Sequence, residues 1–114
     1  MYKRQPNPPW SEVSHNPAIK KQVFLNNGEI PQITQFARSV FQSGQIAPAH
    51  THQDMWEVFL VTSGTLTIIV DGKTHQLQAG ASITLAPRET HELRNESNEE
   101  LHLTYFGLIN PSPK

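Results

Sequence analysis

His50 and His52 lie two residues apart, so on extended backbone both imidazoles leave the same side while Thr51 turns away. Glu57 comes five residues after His52. An odd step cannot keep to one face of an unbroken strand, so a turn or bulge near Gln53–Asp54 is required for the carboxylate to rejoin the imidazoles. With that turn the three side chains form a facial N,N,O donor set. The same face then runs Glu57, Phe59, Val61, an acid followed by apolar residues leading into a core. His91 offers a fourth donor from its own strand-like segment, His91–Asn95, beyond a turn at Pro87. Three imidazoles and one carboxylate on a β scaffold describe a mononuclear transition-metal site. Gathering these groups in a core without a charge partner costs several kcal/mol, and a divalent cation offsets that cost.

The same residues carry a family resemblance. Gly44, five residues, His50-x-His52, four residues, Glu57, six residues and Gly64 resembles the first signature motif of the cupin superfamily. Gly80, His91 eleven residues later and Asn95 four beyond it resembles the second. Two local departures stand in the second motif: Ala86 occupies the usual proline position, with Pro87 beside it, and Arg88 replaces the usual glycine. The resemblance implies a small single-domain cupin, an all-β antiparallel double-stranded β-helix or jelly-roll barrel. It implies six-coordinate binding of one divalent transition metal, Fe, Mn, Ni, Cu or Zn, and pairing into a homodimer. For the reaction it is silent, since the superfamily includes dioxygenases, isomerases, epimerases, decarboxylases, storage proteins and sugar-sensing modules.

The bulk composition agrees with one β domain. A chain of 114 residues builds a single core, and nine prolines among them favour turns over helix. A net charge of −1 with no basic cluster gives no footprint for nucleic acid or an anionic membrane. With no cysteine, disulfides and thiolate ligands are excluded, leaving histidine and carboxylate as the strong metal donors. No apolar run is long enough to span a bilayer, and the N-terminal MYKRQPNPPWSE lacks the apolar stretch of a secretory signal. A cytoplasmic location is the expectation. Asn95-Glu96-Ser97 matches the glycosylation pattern only by chance on that view.

The elements that must hold the donors follow in order. Residues 1–18 read as an N-terminal arm, either frayed or docked through Trp10 on the barrel or on another subunit. Residues 19–110 form the barrel and 111–114 a Pro-broken tail. Lys21–Leu25 reads as a strand ending at the Asn26-Asn27-Gly28 turn. Gln32–Gln42 fits helical spacing as well, but its β-branched and aromatic content favours a strand. Strands over 54–63 and 65–71 flank Gly64, and Asp71-Gly72 is a two-residue hairpin turn leading to Lys73–Leu77. Ser82–Leu85, His91–Asn95 and Leu101–Ile109 complete the set, which reads as an antiparallel barrel or jelly roll.

The remaining candidates are weaker. His75 reads as a surface residue and His15, in the arm, has no role. His102 alternates with Leu101 and Leu103, so either it or the leucines face the core. If it faces inward with Thr104 and Phe106, it lines the pocket. Met55, Trp56, Phe59 and Val61 read as core around the ligands. Arg38, Gln42, Gln45 and Tyr105 are polar groups able to reach a ligand from neighbouring strands. No nucleophilic triad, phosphate-cradling loop or dinucleotide fingerprint is present, and no catalytic residue is assigned. The expected function is a metal-dependent enzyme, oxygenase or isomerase in type, acting on a small organic substrate. The alternative is a sensing or binding module for a small molecule. A closed structural site is disfavoured because structural zinc is usually tetrahedral and cysteine-rich.

Overall fold

The computed structural model describes Lys3 and residues 7–109. The expected tail, 111–114, and most of residues 1–6 lie outside the described residues. Ten strands are present among the described residues: β1 (Trp10–Val13), β2 (Asn16–Leu25), β3 (Ile33–Phe41), β4 (Ile46–His50), β5 (Met55–Ser63), β6 (Thr65–Val70), β7 (Lys73–Gln78), β8 (Ser82–Leu85), β9 (His91–Arg94) and β10 (Leu101–Ile109). No helix among the described residues is long and apolar enough to cross a membrane.

Two antiparallel sheets face each other. One is six-stranded in the order β1-β2-β3-β10-β5-β8, the other four-stranded in the order β4-β9-β6-β7. The chain passes back and forth between them, as a jelly roll requires. Their inner faces interdigitate Ile19, Phe41, Val61, Leu101 and Leu103 with Leu66, Ile68 and Leu93, all buried. Period-two alternation accounts for most of this. In β5 the inward set is Glu57, Phe59 and Val61, and the register pairs them with Gly107, Tyr105 and Leu103 of β10. The segment for which helical spacing competed is β3, because Ala37, Ser39 and Phe41 enter the core every second residue.

Turns are built where the sequence marks them. Asp71 and Gly72 both adopt positive φ, 47° and 81°, and close the β6–β7 hairpin. Gly64 also has positive φ, and a Cβ there would collide with the Glu100 carbonyl oxygen. Asn95 is fully buried rather than presented for modification. Its amide donates to the carbonyls of Phe41 at 3.0 Å and Glu99 at 2.7 Å, while its oxygen accepts from the Ser97 backbone and hydroxyl. It ties the ends of β3 and β9 to the 95–99 turn.

The N-terminal region differs from the expected arm. β1 and β2 form a hairpin with Ser14-His15 at its tip, so residues 10–18 belong to the six-stranded sheet. Only the Lys21–Leu25 half of β2 reads as a strand in the sequence, and the extended state of the rest comes from the pairing of β1 with β2. Trp10 docks on its own barrel, 5.5 Å from the Arg38 guanidinium lying over its ring. The Arg38 guanidinium also donates to Gln22 at 2.5 Å, and Gln22 in turn donates to the Pro8 carbonyl at 2.7 Å.

Candidate metal centre

His50 and His91 sit directly opposite each other on β4 and β9 of the smaller sheet. Glu57 comes from β5 of the larger sheet, and His52 from the link between β4 and β5. The link bends at Gln53 and Asp54, where the sequence demands a turn. The four side chains therefore meet at one end of the barrel, bridging its two sheets. One donor atom from each lies within 4.8 Å of the others, a set that could hold a metal ion.

The hydrogen bonds around the imidazoles fix which nitrogen is available. His50 Nδ1 donates to the Pro48 carbonyl at 2.8 Å and His91 Nδ1 to the Glu89 carbonyl at 3.1 Å. Both rings thus keep the Nε2 lone pair free, the arrangement in which a second partner orients a metal-binding histidine. Glu57 Oε1 stands 3.0 Å from His91 Nε2 and 3.2 Å from His52 Nε2. Yet Glu57 Oε1 and His91 Nε2 are buried with no hydrogen-bond partner. With the ring neutral, two acceptor atoms lie across that gap, and such buried groups are normally satisfied. A cation between them removes the conflict, so the donors fit a metal.

Burial, the largest influence on His50, pushes its imidazole below the usual value. At His91 burial acts the same way, but Glu57 and the Glu89 carbonyl outweigh it and raise the group. The loop at 86–90 braces the centre. The Arg88 amide donates to the His52 carbonyl at 2.6 Å, Glu89 caps the Ala86 amide at 2.6 Å, and the Thr90 amide donates to Asp71 at 2.9 Å. Arg88 holds φ at 74°, the left-handed region that suits glycine.

The donors open onto a cavity of about 290 Å³ whose walls include Phe41, Ala47, Phe59, Leu93 and Met55. His15 reaches it too, which corrects its placement in an arm away from the site. Its ring stacks on His50 with centroids 3.9 Å apart. The hairpin carrying it is held across the mouth: Asn16 donates to the Ile46 carbonyl at 2.8 Å, and Gln45 to the Ala18 carbonyl at 3.1 Å. Burial and then the charge of His52 lower His15, keeping a neutral ring against the donors. No local pattern signals this residue, because only hairpin pairing brings it to the site.

Other candidates separate cleanly. Tyr105 lines the cavity, while Arg38, Gln42, Gln45 and His102 lie in a hollow on the barrel's outer side. Leu101 and Leu103 take the interior, so His102 faces out and pairs with Glu100 at 3.2 Å. His75 is exposed, as expected. Trp56, grouped with the core on sequence, is 40 % exposed because its parity is opposite to Glu57. Lys21, Gln35 and Thr34 also line the cavity and were not anticipated.

Comparison with known proteins decides the family. The cupin domain profile matches residues 37–107, which contain all four donors. The chain belongs to the cupin family. Among solved structures, this cupin is similar to a predicted oxalate decarboxylase from Thermotoga maritima, at a TM-score of 0.85 and 18% identity, covering 96% of this chain and 99% of that one. It is similar also to the cupin domain of Cnp3 from Schizosaccharomyces pombe, at 0.75 and 14%, covering 86% and 69%. A curated relative, the oxidoreductase macE of Penicillium terrestre, is 24% identical over 102 residues. That match takes in 89% of this cupin but only 39% of the relative's length.

Proposed function

We propose that this cupin binds one divalent transition metal through His50, His52, Glu57 and His91 and is an enzyme acting there on a small organic substrate. The observation that carries the reading is the pair of partnerless buried atoms, Glu57 Oε1 and His91 Nε2, the first of them on a residue that lines the cavity. When bound, the metal supplies Lewis acidity or redox chemistry, of isomerase or oxygenase type. The chain's own part is to orient the imidazoles through Pro48 and Glu89, to exclude water with Phe59 and Leu93, and to cover the mouth with His15. Similarity to a protein named an oxidoreductase supports the redox branch. A sensing module is the second reading, supported by the likeness to the cupin domain of an XRE family transcriptional regulator from Enterobacter cloacae.

The larger sheet's outer face supports a homodimer. Trp56 and Leu60 on β5 and Leu108 on β10 are exposed, and the register sets Trp56 beside Leu108 and Phe106 between Phe36 and Val58. An exposed apolar face of this kind is suited to pairing with its own copy about a two-fold axis.

The deciding experiment is elemental analysis of untagged protein beside His50→Ala. One iron, manganese, nickel, copper or zinc per chain, lost in the variant, is the expected result. Failure of the native protein to take up any of these ions overturns the reading. A bound metal with no exchangeable coordination position would favour a structural site, and ligand binding without turnover a sensor.

A further inference from the structure

The wall facing the metal donors carries a second constellation. Lys21 on β2 is paired with Ser39 on β3, and this register turns both toward the interior. The Lys21 ammonium donates to Gln35 Oε1 at 3.1 Å, and the Tyr105 hydroxyl donates to the same oxygen at 3.5 Å. Two donors on one oxygen fix which way round the Gln35 amide lies and leave its NH₂ as a further donor. Tyr105 is itself held by stacking on Phe59, centroids 5.4 Å apart. Burial and the charge of Glu57 raise its phenol, so the hydroxyl remains a donor at neutral pH. Among the described residues Lys21 makes no ion pair, and its only hydrogen-bond acceptor is a neutral amide. Burial accordingly pushes its ammonium below the usual value. An ammonium, a phenol and an amide NH₂ thus share one wall of a small, largely apolar cavity, in which Glu57, among the metal donors, is the one acid lining it among the described residues.

We propose that Lys21, Gln35 and Tyr105 form an anion subsite that takes the carboxylate of a small organic acid, holding its other end toward His50, His52, Glu57 and His91. The substrate class that follows is a hydroxy- or oxo-carboxylate with a short or flat apolar body, matched to a cavity of about 290 Å³. The ammonium supplies the missing charge partner to the carboxylate, and the phenol and amide set its plane. The assignment of the opposite end rests on the proposed metal centre, whereas the subsite itself does not require an ion to be present.

The test is calorimetric titration of lactate and 4-hydroxybenzoate, each beside its uncharged amide, into wild type, Lys21→Met, Lys21→Arg and Tyr105→Phe, metal-loaded and metal-free. Metal content is measured in parallel. The acids are expected to bind and the amides to bind at least about tenfold more weakly. Lys21→Met should lose about ten- to a hundredfold for the acids while keeping its metal, Tyr105→Phe should lose less, and Lys21→Arg should recover part. Dependence on Lys21 in the metal-free protein supports the subsite even if the metal reading fails. Equal binding of acid and amide, equal binding by wild type and Lys21→Met, or no binding of either acid at millimolar concentration overturns it. Circular dichroism of Lys21→Met separates a lost subsite from a lost fold, and Tyr105→Phe, which removes one oxygen, gives an independent reading of the same wall.

Discussion

Glu57 Oε1 and His91 Nε2 stand 3.0 Å apart across the two sheets, and neither has a hydrogen-bond partner. Glu57→Gln puts an NH₂ where the second acceptor stood, and a donor there can satisfy the His91 nitrogen. At pH 8 the metal-free variant should be more stable than metal-free wild type by about 1–2 kcal/mol, the cost of one unsatisfied buried group. Urea unfolding in the presence of chelator measures this. The increase in melting temperature on adding metal to wild type should shrink or vanish in the variant.

Protonation of His91 offers the metal-free protein another escape from the same conflict. Its imidazole is raised in the folded state, so the stability this contributes is fully present below the unfolded value near pH 6.5 and is lost as pH climbs through the folded value. Metal-free wild type should therefore weaken as pH rises above about 6.5. Metal affinity should rise over the same interval, because the ion requires the neutral ring. Unfolding curves with chelator and competition titrations with a coloured chelator follow the two trends separately. A flat stability profile for Glu57→Gln would link the effect to this pair.

Arg88 holds φ at 74° where glycine would be unstrained. Arg88→Gly should relieve about 1–2 kcal/mol of backbone strain, partly offset by the greater freedom of glycine in the unfolded chain. A net gain of up to about 1 kcal/mol is expected in urea unfolding, with metal content unchanged. The amide bond from residue 88 to the His52 carbonyl survives the substitution.

Gly107 faces Glu57 across β10 and β5, and an added Cβ would collide with Thr34 Oγ1 and come within 2.8 Å of Met55 Sδ. Gly107→Ala should cost about 1–3 kcal/mol by overpacking. Gly107→Ala combined with Thr34→Ala should cost less than the sum of the two single changes, and a double-mutant cycle reads the coupling.

For the proposed dimer, Leu60→Arg places a charge at the centre of the larger sheet's outer face. Sedimentation velocity should show wild type as a dimer and the variant as a monomer that retains its metal, since Leu60 points away from the cavity. A wild-type monomer at micromolar concentration would remove the basis for the pairing.

That His50, His52 and Glu57 come together was legible in the chain because their local spacings leave few alternatives on strands, while His91, far along the chain, was placed with them by the spacing Gly80–His91–Asn95. The bend at Gln53–Asp54 was legible for the same reason, as parity demanded it. Trp56 could have been placed correctly by that parity too: with Glu57, Phe59 and Val61 inward, residues 56, 58 and 60 must face out. His102 was settled only by which neighbours the core selected, Leu101 and Leu103. His15, Lys21 and Gln35 carried no local sign of their position. They arrive through the pairing of β1, β2 and β3, and register between distant strands is a tertiary property that composition and alternation do not encode.

The last described strand, β10, is also an inner one, seated between β3 and β5 in the larger sheet. During translation β3 and β5 emerge well before the strand that separates them, each with a ladder edge that nothing yet covers. A growing polypeptide cannot assemble this sheet piecemeal from its N-terminal end, and closure waits until residue 109 has cleared the ribosome. Until then the two open edges are candidates for pairing with each other or with another nascent chain. A premature stop before Leu101 would leave them open permanently, so such a fragment should be recovered as aggregate rather than as a smaller barrel.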